Sequence, residues 1–190
     1  MLHACNAVDG TAAKALSHIR SNNERFSTLL RNNYFALGIM GMPGINLADT
    51  RFPISVANPK APGGGVDLAD IIYGIHRCTH GHGSEMPDGF ELLRDSVGPP
   101  ERTTIKIQRG KIQLSDRIIF GLLAVAVLAP ENVGQTIPPS YWLSLGAENT
   151  FAIHEWWGRR EDFEAIASTI SIPNITVDFS EWMNDPTEAD

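Results

Sequence analysis

The chain is poor in cysteine: Cys5 and Cys78 are the two that its 190 residues contain. Two thiols cannot build the disulfide framework that staples small secreted folds, so a reducing cytoplasm is the expected setting. A membrane-spanning run is also missing. The most apolar stretch, "IIFGLLAVAVLA" at 118–129, is shorter than the roughly 18–20 residues a helix needs to cross a bilayer. Asp116 and Arg117 precede it and Pro130 follows it, so it reads as a buried core helix. The first residues lack the basic region and apolar run of a signal peptide. Nor is there an excess of basic residues. Fifteen Lys and Arg stand against 22 Asp and Glu, for a net charge of −7. That excludes a broad electrostatic footprint for nucleic acid and leaves room only for a local basic patch. Internal repeats and low-complexity tracts are absent.

What remains is an ordinary globular composition, 43% apolar and 19% charged, long enough to bury a substantial core in one domain. The opening "MLHACNAVDGTAAKAL" reads as the middle of a helix, and residues 2–31 look largely helical with a break at Gly10. Ser21 and Glu24 have the Ser-x-x-Glu spacing of a capping box. Phe26, Leu29 and Leu30 follow as one apolar helix face. The glycines and Pro43 of "ALGIMGMPGI" argue against helix there. Residues 51–65, with three prolines and three glycines, read as a loop holding at most a short strand. Asp67 then opens an amphipathic helix whose Leu68, Ile71, Ile72 and Ile75 fall at 3/4 spacing. "TTIKIQRGKIQL" (103–114) is a hairpin candidate about Arg109-Gly110, and Ser115 can cap the helix after it. A second hairpin is expected over 141–157, a short helix over 159–169 and a last strand over 174–179. The fold class is α+β: a helical bundle core over residues 1–133 with an inserted hairpin near 103–114. A C-terminal β-rich extension over 134–183 packs on the same domain, and residues 184–190 form a frayed tail.

Chemistry concentrates in "IHRCTHGHG" at 75–83, where three histidines, one arginine and one cysteine fall within nine positions. His76 and His80, at i and i+4, share a helix face, and with His82 they form one candidate zinc ligand set. The motif has no general base between its histidines, unlike HExxH. A second constellation is Arg77-x4-His82-Gly83. An arginine can hold phosphate oxygens and stabilise added negative charge. An imidazole can move protons near neutral pH. The pair suffices for attack of an RNA 2′-hydroxyl on the adjacent phosphodiester, which needs no metal.

A helix ending in R-x4-H-G, followed by a polar loop and a strongly apolar helix, resembles the HEPN superfamily (higher eukaryotes and prokaryotes nucleotide-binding). Arg77, His82 and Gly83 carry the resemblance, which extends over about residues 4–130. It implies a helical bundle, a metal-independent endoribonuclease without cofactor, and a homodimer that brings each Arg and His to its twin. Arg77 would bind and polarise phosphate, and His82 would act as base or acid. His80, His76 and Cys78 would support them. RNA is the implied substrate and a partner or antitoxin protein the implied regulator. Cys78 departs from the family, which often has Asn, His or Asp after the arginine, and so bears on catalytic competence.

Other readings stand beside this one. Histidines at a helix C-terminus interact favourably with the helix dipole, and Arg77 can pair with Asp70 on the surface. The chain can also be a non-catalytic interaction or ligand-binding module. Trp142, Phe151, Trp156 and Trp157 read as hairpin core or as a ligand-binding aromatic surface. "NPKAPGGGVD" lacks the GxxxxGK[ST] order of a phosphate loop.

Overall fold

A computed structural model describes residues 1–82, 88–95, 103–108, 110–146 and 148–179, with the helical backbone alone for residues 77–82. The fold is mixed α+β. Helices α1 (Leu2–Ala15) and α2 (Asn22–Arg31) open the chain. The expected break at Gly10 is absent: that residue is exposed, with open space where a side chain would stand, and α1 runs through it. The break comes at residues 16–21. Ser21 ends it as the N-cap of α2, its hydroxyl accepting from Glu24 N–H at 3.3 Å.

Helix α3 (Tyr34–Gly41) occupies the glycine-rich stretch where helix was not expected. Its glycines cost helix propensity, about 1 kcal/mol each, but Gly41 admits α5 (Ile118–Leu128) to van der Waals distance, while Gly38 faces Leu47. A Cβ on Gly121 would lie 2.8 Å from the Leu37 carbonyl oxygen, and one on Gly41 would lie 3.1 Å from Ile118 Cα. Packing overrides propensity here. α5 has the expected bounds to within two residues. Its N-cap is Arg117 and not the expected Ser115, whose hydroxyl accepts from Arg117 N–H at 3.3 Å ahead of the first turn.

Residues 51–65 form no strand. The loop leads into α4 (Leu68–His82), whose buried face carries Leu68, Ile71, Ile72 and Ile75. Strands β2 (Lys106–Gln108) and β3 (Lys111–Ser115) form the expected antiparallel hairpin, with Ile107 opposite Ile112. A third strand, β1 (Phe90–Leu93), pairs parallel to β3 on its other side, giving the order β1-β3-β2. The short "FELL" segment gave no alternation by which to foresee it.

The second hairpin pairs β4 (Trp142–Leu145) with β5 (Asn149–Ala152). It is shorter than expected because Ile153–Trp156 turn into a single helical turn, α6. Helix α7 (Arg160–Ala167) follows. The expected strand at 174–179 is reduced to one bridge, Ile45 to Ile175.

Two apolar clusters result, and α3 and α5 contribute to both. Leu37, Met42, Leu122 and Val125 join α1, α2, α4 and β3 in the larger cluster. Ala36, Met40, Ala124 and Leu128 join β4, β5 and α7 in the smaller one, around Leu143, Phe151 and Phe163. Asn132 fastens α1 beside α5: its amide donates to Thr11 Oγ1 and Ala126 O at 2.8 Å each and accepts from Lys14 Nζ at 2.9 Å.

The contact between α3 and α5 gives the first prediction. Gly121→Ala should destabilise the fold by about 1–3 kcal/mol through overpacking. Gly10→Ala should stabilise it by roughly 0.5–1 kcal/mol. Urea denaturation of both variants checks the opposite signs.

Candidate functional site

Helix α4 is the element on which the candidate residues sit, and its two ends are built differently. The N-terminal end is an ion-paired network. Asp67 precedes the first residue of α4, and its Oδ1 accepts from Asp70 N–H at 3.0 Å, an N-cap bond. Arg31, from the end of α2, meets Asp67 with two nitrogens: Nε to Oδ2 at 2.7 Å and Nη2 to Oδ1 at 3.0 Å. Nη2 also reaches Asp70 Oδ1 at 2.8 Å. Both carboxylates are buried, and the Arg31 side chain is 13% exposed. Asp70 completes its coordination with backbone donors of the preceding loop, Lys60 N–H at 2.8 Å and Ala61 N–H at 3.0 Å. The Tyr34 hydroxyl accepts from Ala69 N–H at 3.1 Å and hydrogen-bonds Asp67.

The electrostatics follow from this geometry. Burial alone would raise the Asp67 carboxyl. Hydrogen bonds from Arg31, from Asp70 N–H and from Tyr34, with the Arg31 charge, outweigh it and hold Asp67 below the usual carboxylate range. Burial would lower Arg31, but its bond to Asp67 and the two carboxylate charges raise it instead. Burial and the Asp67 charge keep the Tyr34 phenol protonated well above its ordinary range. Asp70 is therefore committed to Arg31 and the loop.

Toward the C-terminal end, His76 is the last candidate whose side chain lies among the described residues. It is 5% exposed and built into the core. Its ring stacks on Phe26, with centroids 5.0 Å apart and planes at 15°, and meets Tyr73 edge-on at 6.4 Å. Arg77, Cys78, His80 and His82 belong to the last turns of α4, and their side chains lie outside the described residues, as does Gly83. Among the described residues no group of three or more His, Cys, Asp or Glu could hold a metal ion. Cys5, the other cysteine, is fully buried, and burial pushes its thiol up to about 12, which leaves it inert at neutral pH.

The aromatic hairpin divides. Phe151 is buried, edge-on to Trp156 at 4.6 Å and near Phe163 at 5.3 Å. Arg159 lies over the Trp156 ring at 4.5 Å. These rings are core. Tyr141 and Trp142 remain 54% and 60% exposed. The strand alternation expected through residue 156 stops at Ala152, where α6 begins.

The network itself escaped the sequence reading, because Arg31 and Asp67 are 36 positions apart. The available signal was Asp70, a carboxylate set among Leu68, Ile71 and Ile72 on the face that must be buried, which requires a cation nearby.

Removing one partner of this pair leaves an uncompensated buried charge. Asp67→Asn should cost about 3–5 kcal/mol at neutral pH. The lowered folded-state value also sets a pH window. Asp67 contributes stability above the unfolded carboxyl value, near 4. That contribution is lost as pH falls from about 4 through the lower folded value, since the unfolded chain binds the proton first. Acid unfolding followed by circular dichroism should show a flatter limb for the variant.

No helix among the described residues is long and apolar enough to cross a membrane. No solved structure matches the chain. The chain is 42% identical over 185 residues to uncharacterized protein Rv1289 of Mycobacterium tuberculosis strain H37Rv, covering 97% of this chain and 86% of that protein. The identity and coverage are the same for uncharacterized protein Mb1320 of Mycobacterium bovis. The family model described as Rv1289 matches residues 1–183, and the chain belongs to the Rv1289 family.

Proposed function

We propose that the protein is a HEPN-like, metal-independent endoribonuclease of the cytoplasm, acting as a homodimer, with Arg77 and His82 as its working pair. The observation that supports this reading is the continuity of α4. The helix persists to His82, so Arg77 and His82 belong to one helix, just beyond the buried Ile75 and His76. A pair that must address one phosphate gains from such a frame.

In this mechanism His82 takes the proton of an RNA 2′-hydroxyl. The oxygen attacks the adjacent phosphorus, and the P–O5′ bond breaks. Arg77 holds the phosphate oxygens and stabilises the charge that develops on them. The proton passes to the leaving 5′-oxygen, and the products carry a 2′,3′-cyclic phosphate and a 5′-hydroxyl. His80, Cys78 and the core-anchored His76 support the end of the helix.

A second reading is a non-catalytic interaction module that binds a partner or antitoxin protein. The exposure of Tyr141 and Trp142 at the start of β4 favours it.

The test is incubation of the full chain with single-stranded RNA in EDTA. Cleavage leaving cyclic phosphate ends, abolished in Arg77→Ala and in His82→Ala with unchanged circular dichroism, is the expected result. Cleavage that survives in both variants removes the pair from the reaction. No cleavage by the wild-type chain, with retention of a partner that Trp142→Ala releases, selects the module.

A further inference from the structure

A pocket of about 370 Å³ lies between α2 and the proline- and glycine-rich loop, lined by Glu24, Thr28, Arg31, Asn32, Lys60 and Pro62. Its floor is one face of α2: Glu24, Thr28, Arg31 and Asn32 recur at the spacing of successive helical turns. Its far wall is the loop, and that wall is held in place. Asp70 accepts from the backbone of Lys60 and Ala61, Asn23 Nδ2 donates to Asn58 O at 3.0 Å, and Arg51 Nη2 donates to Pro62 O at 2.9 Å.

Apart from two nitrogens of Arg31, the polar side-chain groups of this pocket bond nothing among the described residues. Nε and Nη2 of Arg31 are taken up by Asp67 and Asp70, and Nη1 bonds no described residue. The Lys60 ammonium, the Glu24 carboxylate, the Thr28 hydroxyl and the Asn32 amide also bond no side chain or backbone group among the described residues. Arg31 is thus a guanidinium fixed in orientation by two carboxylates, lining the pocket with one nitrogen that bonds no described residue. Such pre-organisation reduces the ordering cost of binding.

The charge balance narrows the ligand. Arg31 and Lys60 are opposed by Glu24, Asp67 and Asp70. Two cations against three carboxylates make a poor receptor for a bare anion, and a poorer one for a doubly charged phosphate. A molecule carrying both charges offsets that penalty through an ammonium placed on Glu24. We infer that this pocket binds a small zwitterion of the amino-acid type, its carboxylate on Lys60 and Arg31 and its ammonium on Glu24. Thr28 and Asn32 supply neutral hydrogen bonds beside them. The volume is at the small end of the range for ligand sites. The pocket lies at the opposite end of α4 from Arg77 and His82, so the inference stands apart from the ribonuclease proposal.

The experiment is amide chemical-shift titration of the full chain with the free L-amino acids one by one, and with acetate, inorganic phosphate and methylammonium as probes of the separate charges. At least one amino acid should shift the amides of Glu24, Thr28 and Lys60 at millimolar concentration, where the three single-charge probes do not. Lys60→Ala and Glu24→Gln change exposed side-chain ends that bond nothing among the described residues. Each should weaken that binding by about tenfold, or 1.4 kcal/mol. Phosphate or acetate shifting the same amides as strongly, binding undiminished in Glu24→Gln, or no response to any amino acid would each overturn the assignment.

Discussion

Helix α5 has no polar face. Its sequence, "IIFGLLAVAVL", contains only apolar side chains and one glycine, so most of its surface has to be enclosed, and all of it is buried but Phe120, which is exposed, and the half-buried Ile119 and Leu123. That requirement organises the molecule. α1, α3, α4 and β3 cover one flank with the larger cluster, while the second hairpin and α7 cover the other with the smaller. The C-terminal third of the chain is thus needed to hide hydrocarbon that the helical body alone would leave in water. Gly121, beside Leu37 and Gly41, lets α3 approach without a gap, and this close contact is what allows one short helix to face both clusters.

α4 differs in having a polar end and a busy one. Burying Asp67 and Asp70 would be prohibitive without Arg31, and burying Arg31 would be prohibitive without them. The network joins α2, α4 and the loop before α4 through groups remote in sequence. It fixes the start of α4 while His76, stacked on Phe26, fixes its middle against the same α2 helix. The final turns, with Arg77 and His82, are therefore carried on a helix anchored at two points upstream. A helix anchored in this way is the frame that a two-residue phosphate site would require. It serves equally well to present the same turns to a protein partner.

Elements governed by local rules were legible in the sequence. The capping box at Ser21, the 3/4 spacing in α4, the apolar run of α5 and the alternation across Arg109-Gly110 all marked real helices or strands. Elements governed by distant contacts were not. α3 violates local propensity because Gly41 serves packing against Ile118, on a helix far along the chain. β1 exists because β3 offers it an edge. The stretch at 174–179, rich in β-formers, finds only Ile45 to pair with. The same division holds for chemistry. The histidine cluster was conspicuous because its members are adjacent, and one of them, His76, is a core residue. The Arg31 pocket was invisible because it is assembled from α2 and a loop that come together only in three dimensions.

Asp70 grips the loop by the peptide N–H groups of residues 60 and 61 and touches neither side chain. The anchor is therefore indifferent to which amino acids stand there, with proline the one exception, since it has no N–H to give. Drift at position 60 can exchange a cation for an anion, an amide or a methyl group without loosening the scaffold beneath it. The chemistry of the pocket wall is in this way uncoupled from the stability of the fold, and relatives can acquire new preferences at this position while keeping the same backbone.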